Sequence, residues 1–549
     1  MPGFTVHGSR FTVHGLACPV PHRSKCSSNH IKRILEVDRV SSSVFLALNL
    51  STALHLYSDH SFAKRATTVT HGISNQLTLT INGERVCLKD ADPTRTLLEY
   101  LRQSDRIGTK EGCGDGDCGA CTVALIGKGA DGKPHYQAVN SCLIPLGAIA
   151  NREIITVEGV ANGQLHPVQT AMVDLGGSQC GYCTPGFIIS LFAAYYDRAL
   201  DDVAIEGNLC RCTGYLPIRR AAQQVAEAQP NQVSDAFSQI LEQASVDLTP
   251  VHYGSGDRQF YRPVQLAEVF TLLEQYPDAT LVAGATDLGL ELSWHRQQYP
   301  VMISLEAVAE LQTLEQTAES VEIGAAVPLS QIEATLHGVF PSLDEMLHWF
   351  AARQVRNRAT LGGNIGTASP IGDLPPVLLS LDATLRLANA NGSRILPLTE
   401  FFKGYRQTDL HPGEVIVSIG IPKILTPGAV RRLSQSYKIG KRGTDDISIV
   451  AAAFTIDLDD RNQILHARLA YGGVAAIPAR AIAVEQFLIG KPWNNTTVQQ
   501  AKPLLGEAFT PLSDLRGSAD YRQRLIVNLF EKFFVEMNSV ASGLAEVLV

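Results

Sequence analysis

The spacing of apolar residues predicts a two-stranded hairpin near residue 80. Apolar and polar residues alternate from Leu77 to Ile81, and the pattern resumes from Arg85 to Leu88. Asn82-Gly83 lies between the two runs, and this dipeptide is typical of a two-residue hairpin turn. A helix with Thr94 as its N-cap is expected next, followed by a strand at Thr122–Ile126. The pattern therefore predicts a small sheet with one helix packed across it.

The pattern becomes helical between residues 154 and 225 and mixed beyond residue 257. Proline positions and apolar spacing predict three helices, at Pro167–Leu175, Pro185–Ala199 and Ile218–Ala228. Residues 226 to 250 are polar and rich in Gln and Ala, which indicates a linker. Strands are expected beyond it, among helices, at Thr280–Ala283, Val321–Ala325, Val415–Ile419 and Ala451–Leu458. The chain is therefore expected to be a multidomain α+β protein.

A glycine-rich loop with three cysteines follows the first predicted helix. Cys113, Cys118 and Cys121 have the spacing C-x4-C-x2-C, and Cys142 lies further along the chain. This is the plant-ferredoxin spacing of four thiolates around a [2Fe–2S] cluster. A zinc knuckle is an alternative, although zinc sites favour paired C-x2-4-C motifs. A disulfide framework is disfavoured in a chain of this size and composition. These four cysteines are predicted to be metal ligands.

A second set of four cysteines comes soon afterwards, at Cys180, Cys183, Cys210 and Cys212. A C-x2-C pair alone is also typical of a zinc site or a redox dithiol. Followed by C-x-C and placed downstream of a ferredoxin loop, it is far more specific for a second cluster. Eight of the eleven cysteines thus fall into two sets of four. Two clusters in one chain predict a protein that moves electrons.

Composition narrows the class of protein further. Charged residues make up 18% and apolar residues 45% of the chain, as in an ordinary globular protein with a sizeable core. A net charge of −8 argues against nucleic acid as the main partner. No apolar run reaches the length of a membrane span, so no membrane association is expected. Clustered cysteines without a disulfide pattern suit the cytoplasm.

The first 74 residues differ in character from the rest. Phe4-Thr-Val-His-Gly8 recurs as Phe11-Thr-Val-His-Gly15, and seven of the fifteen histidines fall in this segment. Metal binding by the repeated histidines is one reading. A disordered leader, or a start assigned too early, is the reading we prefer, and no function is assigned to the segment.

One glycine motif is expected to be a decoy. Gly127-Lys-Gly129-Ala-Asp-Gly132 matches G-x-G-x-x-G, the dinucleotide-binding fingerprint. That fingerprint requires a helix to begin at the motif, with its N-terminus facing the pyrophosphate. Here Pro134 and the strand-like run His135–Val139 follow. The motif is therefore predicted to be a hairpin turn.

Taken together, the cysteine sets and their flanking words resemble the iron–sulfur half of the xanthine dehydrogenase family of molybdenum hydroxylases. The resemblance covers residues 75 to 545. Its motifs in the iron–sulfur half are Gly108–Cys113, His166-Pro-Val-Gln169, Gln179–Gly186 and Gly207–Tyr215. Its motifs in the flavin-binding half are Leu281–Gly289, Leu361–Asp373, Phe401–Tyr405, Tyr437-Lys438, Asp445–Ile447 and Tyr471–Gly473.

The resemblance implies where FAD binds. Two glycine-rich words make sense as phosphate cradles, because small residues let backbone N–H groups approach a pyrophosphate; two ordinary tight turns are the alternative. By the resemblance the first cradle is Val282, Ala283, Gly284, Ala285, Thr286, Asp287 and Leu288. The second includes Gly363, Asn364 and Thr367. Asp373 is expected to anchor the ribityl or adenosine side, with Ile416 and Lys438 at other flavin contacts.

The flavin-side candidates are implied in the same way. Phe350 matches the aromatic residue that lies against the isoalloxazine ring, although a plain core residue is the alternative. Tyr405 and Asp445 match the side on which nicotinamide enters, and no catalytic residue is assigned beyond these and Lys438. Gly372 replaces a serine common in the family, which leaves individual phosphate contacts open. The Lys441–Thr444 loop is less charged than in some relatives, so NAD is the expected acceptor with others left open.

The resemblance also implies a division into domains. The expected folds are a β-grasp ferredoxin domain, a helical-bundle [2Fe–2S] domain and an α+β FAD-binding domain of the vanillyl-alcohol-oxidase-like (PCMH) type with a C-terminal α+β subdomain. The expected bounds are 1–74 for the leader, 75–158 and 159–228 for the iron–sulfur domains, 229–256 for a linker, and 257–425 and 426–549 for the flavin-binding part.

The implied activity is electron transfer during purine oxidation. The resemblance predicts two [2Fe–2S] clusters, FAD and NAD+ as acceptor. The flavin-like region runs to the end of the sequence, so the chain is similar to the small subunit of the bacterial two-chain enzyme. A molybdopterin-binding large subunit is then expected as partner, in an α2β2 assembly. Gln179 matches the family residue that meets the pterin, so the helical domain is expected to dock this partner. The alternatives are a hydroxylase of aldehydes or other N-heterocycles, a stand-alone ferredoxin–flavin reductase, and a zinc-binding interaction protein.

Overall fold

The structure is a computed structural model that describes residues 74–161, 163–228 and 234–541. The predicted leader lies outside the described residues, except for its last residue. Ser74 forms a bridge to Tyr253, and its backbone exchanges hydrogen bonds with His252 and Gly254.

A five-stranded mixed sheet with one helix forms the first part. Its elements are β1 (Gln76–Ile81), β2 (Glu84–Lys89), α1 (Leu97–Gln103), β3 (Thr122–Lys128), β4 (Pro134–Asn140) and β5 (Glu153–Ile155). The strand order is β2-β1-β5-β3-β4, with β1 and β5 parallel. Asn82 and Gly83 both have positive φ, as the predicted tight turn requires. The predicted β-grasp order and the hairpin at Gly127–Gly132 are confirmed.

The helix cap in this part differs from the prediction. Thr96, not Thr94, is the N-cap of α1: its hydroxyl accepts from Glu99 N–H, and the Glu99 carboxylate accepts from Thr96 N–H. Thr94 instead bonds to Asp92 through its hydroxyl and its backbone N–H. The reciprocal capping box requires Glu at the third helical position, and Thr96 is the residue with Glu99 three places on.

Helices dominate the next part. They are α2 (Val157–Val160), α3 (Pro167–Asp174), α4 (Thr184–Asp197), α5 (Asp202–Ile205), α6 (Leu216–Ala228) and α7 (Ala236–Gln243). The three predicted helices are confirmed as α3, α4 and α6. Most of α4 is buried, because its sequence is apolar on nearly every face. His166 caps α3 in a reciprocal capping box with Gln169, which gives the His-Pro-Val-Gln word a structural role.

The predicted linker is in part folded. Helix α7 places Phe237 in an aromatic cluster with Tyr136, Phe192 and Tyr196, and Tyr136 donates to the Phe237 carbonyl at 3.0 Å. The polar composition of the segment made a short amphipathic helix hard to predict. This helix packs against the rest of the protein through one face. The predicted linker at 229–256 therefore contains a packed helix at Ala236–Gln243.

The third part holds two sheets and many short helices. Its elements are β6 (Val251–Ser255), β7 (Arg258–Arg262), α8 (Leu266–Gln275), β8 (Thr280–Val282), α9 (Leu288–Ser293), β9 (Val301–Ser304), β10 (Leu314–Gln316), β11 (Ser320–Gly324), α10 (Leu329–Leu336), α11 (Pro341–Trp349), α12 (Arg353–Arg356), α13 (Leu361–Gly366), α14 (Leu374–Ser380), β12 (Thr384–Asn389), β13 (Gly392–Pro397), α15 (Leu398–Phe401), β14 (Phe402–Gly404), β15 (Gln407–Thr408) and β16 (Val415–Pro422). The sheet orders are β6-β7-β9-β8 and β10-β11-β16-β12-β13.

The C-terminal part is an antiparallel sheet covered by helices. It comprises β17 (Arg431–Ile439), β18 (Val450–Leu458), β19 (Ile464–Gly472), β20 (Ala479–Arg480), α16 (Ile482–Leu488), α17 (Asn495–Glu507) and α18 (Ala519–Ala541). Every residue of β18 is buried, since the strand lies in the middle of its sheet with both faces covered. All four strands predicted in the second half of the chain are present.

One hydrophobic core joins the first and third parts. It contains Leu79, Leu125 and Ile154 from the first sheet together with Phe260 and Val282 from the third part. A shared core fixes the two parts relative to each other. No helix within the described ranges has both the length and the apolar character to cross a membrane.

Candidate functional site

The first cysteine set lies in the loop between α1 and β3 and in the 3-10 turn after β4. The loop holds Cys113, Cys118 and Cys121, and the turn Ser141–Leu143 holds Cys142. The sulfurs meet in pairs: Cys121 Sγ lies 3.4 Å from Cys142 Sγ, and the Cys113 and Cys118 thiols are hydrogen-bonded to each other. This arrangement suits a two-iron cluster, in which four thiolates are shared between two irons.

Glycines let this loop wrap tightly around the thiols. A Cβ atom on Gly112 would lie 2.6 Å from Cys118 Sγ, and one on Gly116 would lie 2.8 Å from Leu143 Cδ1. Gly116 also has φ of +92°, a region that other residues avoid. A larger side chain at position 112 would therefore displace the Cys118 sulfur, and one at position 116 would collide with Leu143, the residue after Cys142.

The hydrogen bonding between Cys113 and Cys118 shifts the pKa values of their thiols in a way that favours metal binding. The hydrogen bond from the Cys113 thiol lowers the pKa of Cys118 to about 6 and raises the pKa of Cys113. Cys113 N–H also donates to Cys118 Sγ at 3.3 Å. Cys118 is thereby poised as a thiolate, the form that binds metals.

The second cysteine set lies around the start of α4 and in the loop before α6. Cys180 Sγ and Cys212 Sγ are 3.2 Å apart, and Cys183, the N-cap residue of α4, is hydrogen-bonded to Cys210. Burial raises the pKa of Cys183 to about 12. Again the four thiols form two pairs.

The donor set therefore fits two [2Fe–2S] clusters. In residues 74–161, 163–228 and 234–541, no three cysteine, histidine or carboxylate side chains come close enough together to hold one metal ion. The thiols approach two by two, and two ligands per iron is the pattern of a two-iron cluster. Bound there, such clusters carry single electrons.

A direct hydrogen bond connects the two cysteine sets. Leu209 N–H, one residue before Cys210, donates to the carbonyl of Cys118 at 3.0 Å. Beside it, Asn208 Nδ2 donates to the carbonyl of Gly119 at 3.0 Å. Gly119 has φ of +62°, and a Cβ there would lie 2.2 Å from the carbonyl of Gly207. The two loops are in backbone contact.

The two sets differ in exposure. Cys121 and Cys142 are buried, whereas Cys180 and Cys212 are exposed. Large apolar side chains surround the exposed pair along the chain, namely Leu165, Val173, Tyr182, Leu209 and Leu216, each more than two-fifths exposed. Gln179 is exposed as well. Exposed thiols and exposed apolar side chains thus occur in the same stretch of the sequence, and exposed apolar groups are a feature of interaction sites.

The first glycine-rich word forms a close-packed loop between β8 and α9. A Cβ on Gly284 would lie 1.8 Å from the carbonyl of Arg358, so only glycine fits. Ala285 has φ of +65°. A cavity of about 450 Å³ adjoins Ala283, Gly284 and Thr360. The loop residues that line this cavity are alanine and glycine, and such small residues let backbone N–H groups approach a pyrophosphate.

The second glycine-rich word begins helix α13. Thr360 is the N-cap, and its hydroxyl accepts from Gly363 N–H at 3.0 Å. Thr367 donates its hydroxyl hydrogen to the carbonyl of Asn364 at 2.8 Å. Asn364 Oδ1 is buried without a hydrogen-bond partner, and such an acceptor is costly unless a ligand donates to it. FAD carries ribityl hydroxyl donors, so both words fit this cofactor.

The structure brings Asp373 and Lys438 together. Lys438 Nζ lies 2.9 Å from Asp373 Oδ2, and Lys438 also donates to the carbonyl of Trp349 at 3.0 Å. Ser448 donates to Asp373 Oδ1 at 2.5 Å. The pair is almost fully buried, so it holds a fixed geometry. Ile416 lies beside α13, where a Cβ on Gly366 would be 3.9 Å from its Cδ1.

The remaining flavin-side candidates have different settings. Phe350 is half-buried at the end of α11, and Arg356 Nη1 donates to its carbonyl at 3.0 Å. Tyr405 is 64% exposed in the turn between β14 and β15 and makes no hydrogen bond within the described part of the chain. Burial, together with the charge of Asp117, raises the pKa of Asp445 to about 7. Asp445 thus lies close to the first cysteine loop.

Three interdomain contacts were missed from the sequence. Glu306, whose side chain is 17% exposed, pairs with buried Arg152 of the first part and with buried Arg358. Glu206 accepts from Arg356 Nη2 at 2.7 Å, and buried Gln354 reaches Asn208. Asn208 belongs to the motif Gly207–Tyr215, and this motif could have indicated that Asn208 has a role. Gln354 and Glu306 lie in stretches without any pattern.

Family models match nearly the whole described chain. The 2Fe-2S iron-sulfur cluster binding domain matches residues 79–147, and the [2Fe-2S] binding domain matches 156–223. The FAD binding domain in molybdopterin dehydrogenase matches 255–424, and the CO dehydrogenase flavoprotein C-terminal domain matches 435–537.

Similar proteins agree with these matches. Xanthine dehydrogenase 1 of Arabidopsis thaliana is 35% identical over 539 residues, which cover 83% of this chain and 39% of that protein. Xanthine dehydrogenase/oxidase of Gallus gallus is 32% identical over 545 residues, covering 84% of this chain and 40% of that protein. The chain thus spans about two-fifths of the length of these relatives.

Among solved structures, quinoline 2-oxidoreductase from Pseudomonas putida 86 is 30% identical, with a TM-score of 0.46, and covers 52% of this chain and 96% of that one. The paired thiols, the two glycine-rich loops and four family models in consecutive order point the same way. This chain belongs to the molybdenum hydroxylase family, of which it carries the two [2Fe–2S] domains and the FAD-binding domain.

Proposed function

We propose that this chain is the electron-transfer and FAD-binding part of a xanthine dehydrogenase. In this proposal, oxidation of hypoxanthine or xanthine takes place at a molybdopterin-binding partner subunit, and NAD+ is the final acceptor. The observation that carries the proposal is the backbone hydrogen bond from Leu209 to Cys118, which joins two paired thiol sets in one chain.

The cofactors supply the redox chemistry, because the clusters carry single electrons and a flavin exchanges single electrons for a hydride. The protein supplies the ligands and their placement. We assign Cys180, Cys183, Cys210 and Cys212 to one cluster and Cys113, Cys118, Cys121 and Cys142 to the other. Cys180 and Cys212 of the second set are exposed, whereas Cys121 and Cys142 of the first set are buried beside Leu290 of the flavin-binding part. This difference supports an order from partner to second set to first set.

The FAD-binding residues are assigned from the two loops and the buried ion pair. Val282–Leu288, Gly363, Asn364 and Thr367 would hold the pyrophosphate and ribityl groups, as the close approach at Gly284 and the unpartnered Asn364 oxygen support. Asp373 would anchor the ribityl or adenosine side, and Lys438 and Ile416 would contact the flavin, with Phe350 against the ring. The buried ion pair between Lys438 and Asp373 supports these placements by fixing both side chains. Tyr405 and Asp445 are assigned to the nicotinamide side.

The partner is proposed to dock where the second set opens to solvent. Cys180, Cys212, Tyr182 and Leu216 are exposed there, with Gln179 immediately before Cys180. Exposed apolar side chains close in sequence to exposed thiols support the burial of this stretch by another protein surface. An α2β2 assembly with the molybdopterin-binding subunit is the arrangement we propose.

The proposed domain bounds follow the cysteine sets and the flavin loops. We place the iron–sulfur domains at 75–158 and 159–228, and the flavin-binding part at 257–425 and 426–549. The shared hydrophobic core of the first and third parts supports treating them as one rigid unit.

The experiment that tests the proposal separates the two ends of the electron path. The purified chain alone should oxidise NADH with an artificial dye and should leave xanthine unchanged. Addition of the molybdopterin subunit should restore xanthine-dependent NAD+ reduction. Lys438→Ala should impair both activities that need flavin, while clusters in the complex are still reduced by xanthine. Xanthine oxidation by this chain alone, or NADH oxidation that persists without bound flavin, would contradict the proposal.

A further inference from the structure

Three parts of the chain meet beside the two cysteine loops, at residues that are not cysteines. Gly119 follows Cys118, Gly207 and Asn208 precede Cys210, and Gln354 comes from α12 of the flavin-binding part. Asn208 is 3% and Gln354 is 1% exposed. The meeting point is thus a buried polar junction, and its members are not ligands themselves.

Asn208 bridges the junction with both ends of its side chain. Its Nδ2 donates to the carbonyl of Gly119 at 3.0 Å, and its Oδ1 accepts from Gln354 Nε2 at 3.1 Å. Gln354 Nε2 also donates to Ser190 Oγ of α4 at 3.0 Å. The Asn208 amide is therefore hydrogen-bonded to the first cysteine loop, and the Gln354 amide is hydrogen-bonded to Asn208 and to α4.

Packing leaves this junction little freedom. A Cβ on Gly119 would lie 2.2 Å from the carbonyl of Gly207, and one on Gly186 would lie 2.1 Å from the carbonyl of Gly119. A Cβ on Gly207 would lie 2.1 Å from Gln354 Oε1. The loops approach as closely as glycine allows, so a small shift of Gln354 or Asn208 would be passed directly to the thiols.

Stability alone does not account for glutamine at position 354. Its Oε1 is buried and has no hydrogen-bond partner, which costs free energy that an apolar side chain of similar shape would avoid. What glutamine adds is a pair of directed hydrogen bonds to two different elements. Directed bonds fix relative position where apolar packing does not.

The position of α12 extends the junction to the flavin-binding loops. Arg356 of α12 donates to the carbonyl of Phe350 and pairs with Glu206, one residue before Gly207. Helix α12 is followed by Thr360, the cap of the second glycine-rich loop. A single short helix therefore contacts the region of both cysteine loops and is covalently continuous with the flavin-side segments.

We propose that Asn208 and Gln354 are positioning residues that set the distance between the two metal clusters and lock it to the flavin-binding part. This inference rests on the proposed function, because it presupposes that both cysteine sets hold clusters. The residues do not ligate metal or touch substrate. Their effect is on the geometry of the two loops.

The test uses two shape-matched variants of the full chain. Gln354→Met keeps the length of the side chain and removes both hydrogen bonds, and Asn208→Asp keeps the acceptor for Gln354 but loses the donor to Gly119. Asn357→Leu is the matched control: Asn357 lies in the same segment and donates to the carbonyl of Ala138 at 2.9 Å, away from the cysteine loops. The measurement is the dipolar coupling between the two reduced clusters by pulsed EPR.

Both variants should retain iron and flavin and show both cluster signals, with a shifted or broadened inter-cluster distance distribution. The control should show the distribution of the unsubstituted chain. Unchanged distributions in both variants would overturn the inference and leave the proposed function standing. The same shift in Asn357→Leu would also overturn it, since loosening would then be general. Absence of clusters from the unsubstituted chain would instead contradict the proposed function.

Discussion

The two cysteine regions have the same ligand chemistry but opposite settings. The first region has two buried thiols, one glycine (Gly112) packed against the Cys118 sulfur, and a hydrophobic core shared with the flavin-binding part. The second has two exposed thiols and one buried thiol, and exposed apolar side chains flank it in the sequence. Paired thiols alone therefore do not decide the role of a cluster site. Under the proposed function, their burial supports assigning the first set to the interior and the second set to the side of the proposed partner.

The largest expected effect comes from removing one ligand in each region. Cys121→Ser should abolish one cluster signal and also destabilise the fold by about 1–3 kcal/mol, because it leaves a hydroxyl in an apolar, buried place. Cys212→Ser should abolish the other signal with little loss of stability, since its side chain is exposed. EPR and thermal denaturation measure both effects. Equal destabilisation by the two variants would remove the contrast between the regions.

A second contrast is in ion pairs. Glu306 lies between Arg152 and Arg358, which lower its pKa to about 2 although burial opposes this. Its pKa is below the unfolded value of 4.5, so the stabilisation is present above pH 4.5 and is lost as the pH falls towards 2. Glu306→Gln should cost about 3–5 kcal/mol by leaving two buried guanidinium groups unpaired.

The control for this variant lies in the second region. Asp202 pairs with Arg219, and both side chains are more than half exposed. Asp202→Asn should therefore cost less than about 1 kcal/mol. Denaturant unfolding at pH 7 compares the two variants, and a similar cost for both would show that the first region is not fixed by its buried charges.

Predictability from sequence followed the range of the interactions. Local patterns sufficed for the hairpin at Asn82-Gly83, the three helices of the second part and the order of the cysteine loops. The cap of α1 was misplaced by two residues because Thr94 and Thr96 both suit an N-cap, and only the partner Glu99 separates them. Helix α7 was missed because its burial depends on a distant aromatic cluster.

The candidate site divides in the same way. Cysteine spacing identified both thiol sets, and glycine-rich words located the two loops. The contacts between parts, such as Gln354 with Asn208 and Glu306 with Arg152, join residues separated by about 150 positions and have no local signature. Such contacts could not be predicted, because each partner alone is an ordinary polar residue.

The docking surface gives a smaller effect that is confined to the second region. Leu216→Asp should weaken association with a molybdopterin subunit by about 1–3 kcal/mol, since it places a charge in an interface meant to be apolar. Dye reduction by NADH should not change. Leu512→Asp, at another exposed leucine, is the control. Equal loss of affinity in both variants, measured by titration calorimetry, would argue against the proposed surface.

The smallest effect concerns a pH-dependent tie between the two regions. His135 lies in β4 and is hydrogen-bonded to Asp197 at the end of α4 and to Asp131. The hydrogen bond to Asp197 raises the pKa of His135 to about 9. The folded pKa is above the unfolded 6.5, so the stabilisation is full below pH 6.5 and is lost as the pH rises through 9.

His135→Gln should therefore lower stability by about 1 kcal/mol or less at pH 6, and by almost nothing at pH 10. Unfolding curves at the two pH values measure the difference. A penalty that is the same at both would mean that the histidine acts through packing and not through charge.

The central claim, that one chain holds two separate two-iron clusters in unlike settings, is tested most directly by EPR of the dithionite-reduced protein. The account predicts two distinct signals that integrate to two spins per chain, with the Cys121→Ser and Cys212→Ser variants each losing a different one. A single signal, both signals lost together in either variant, or a silent sample containing zinc would contradict it.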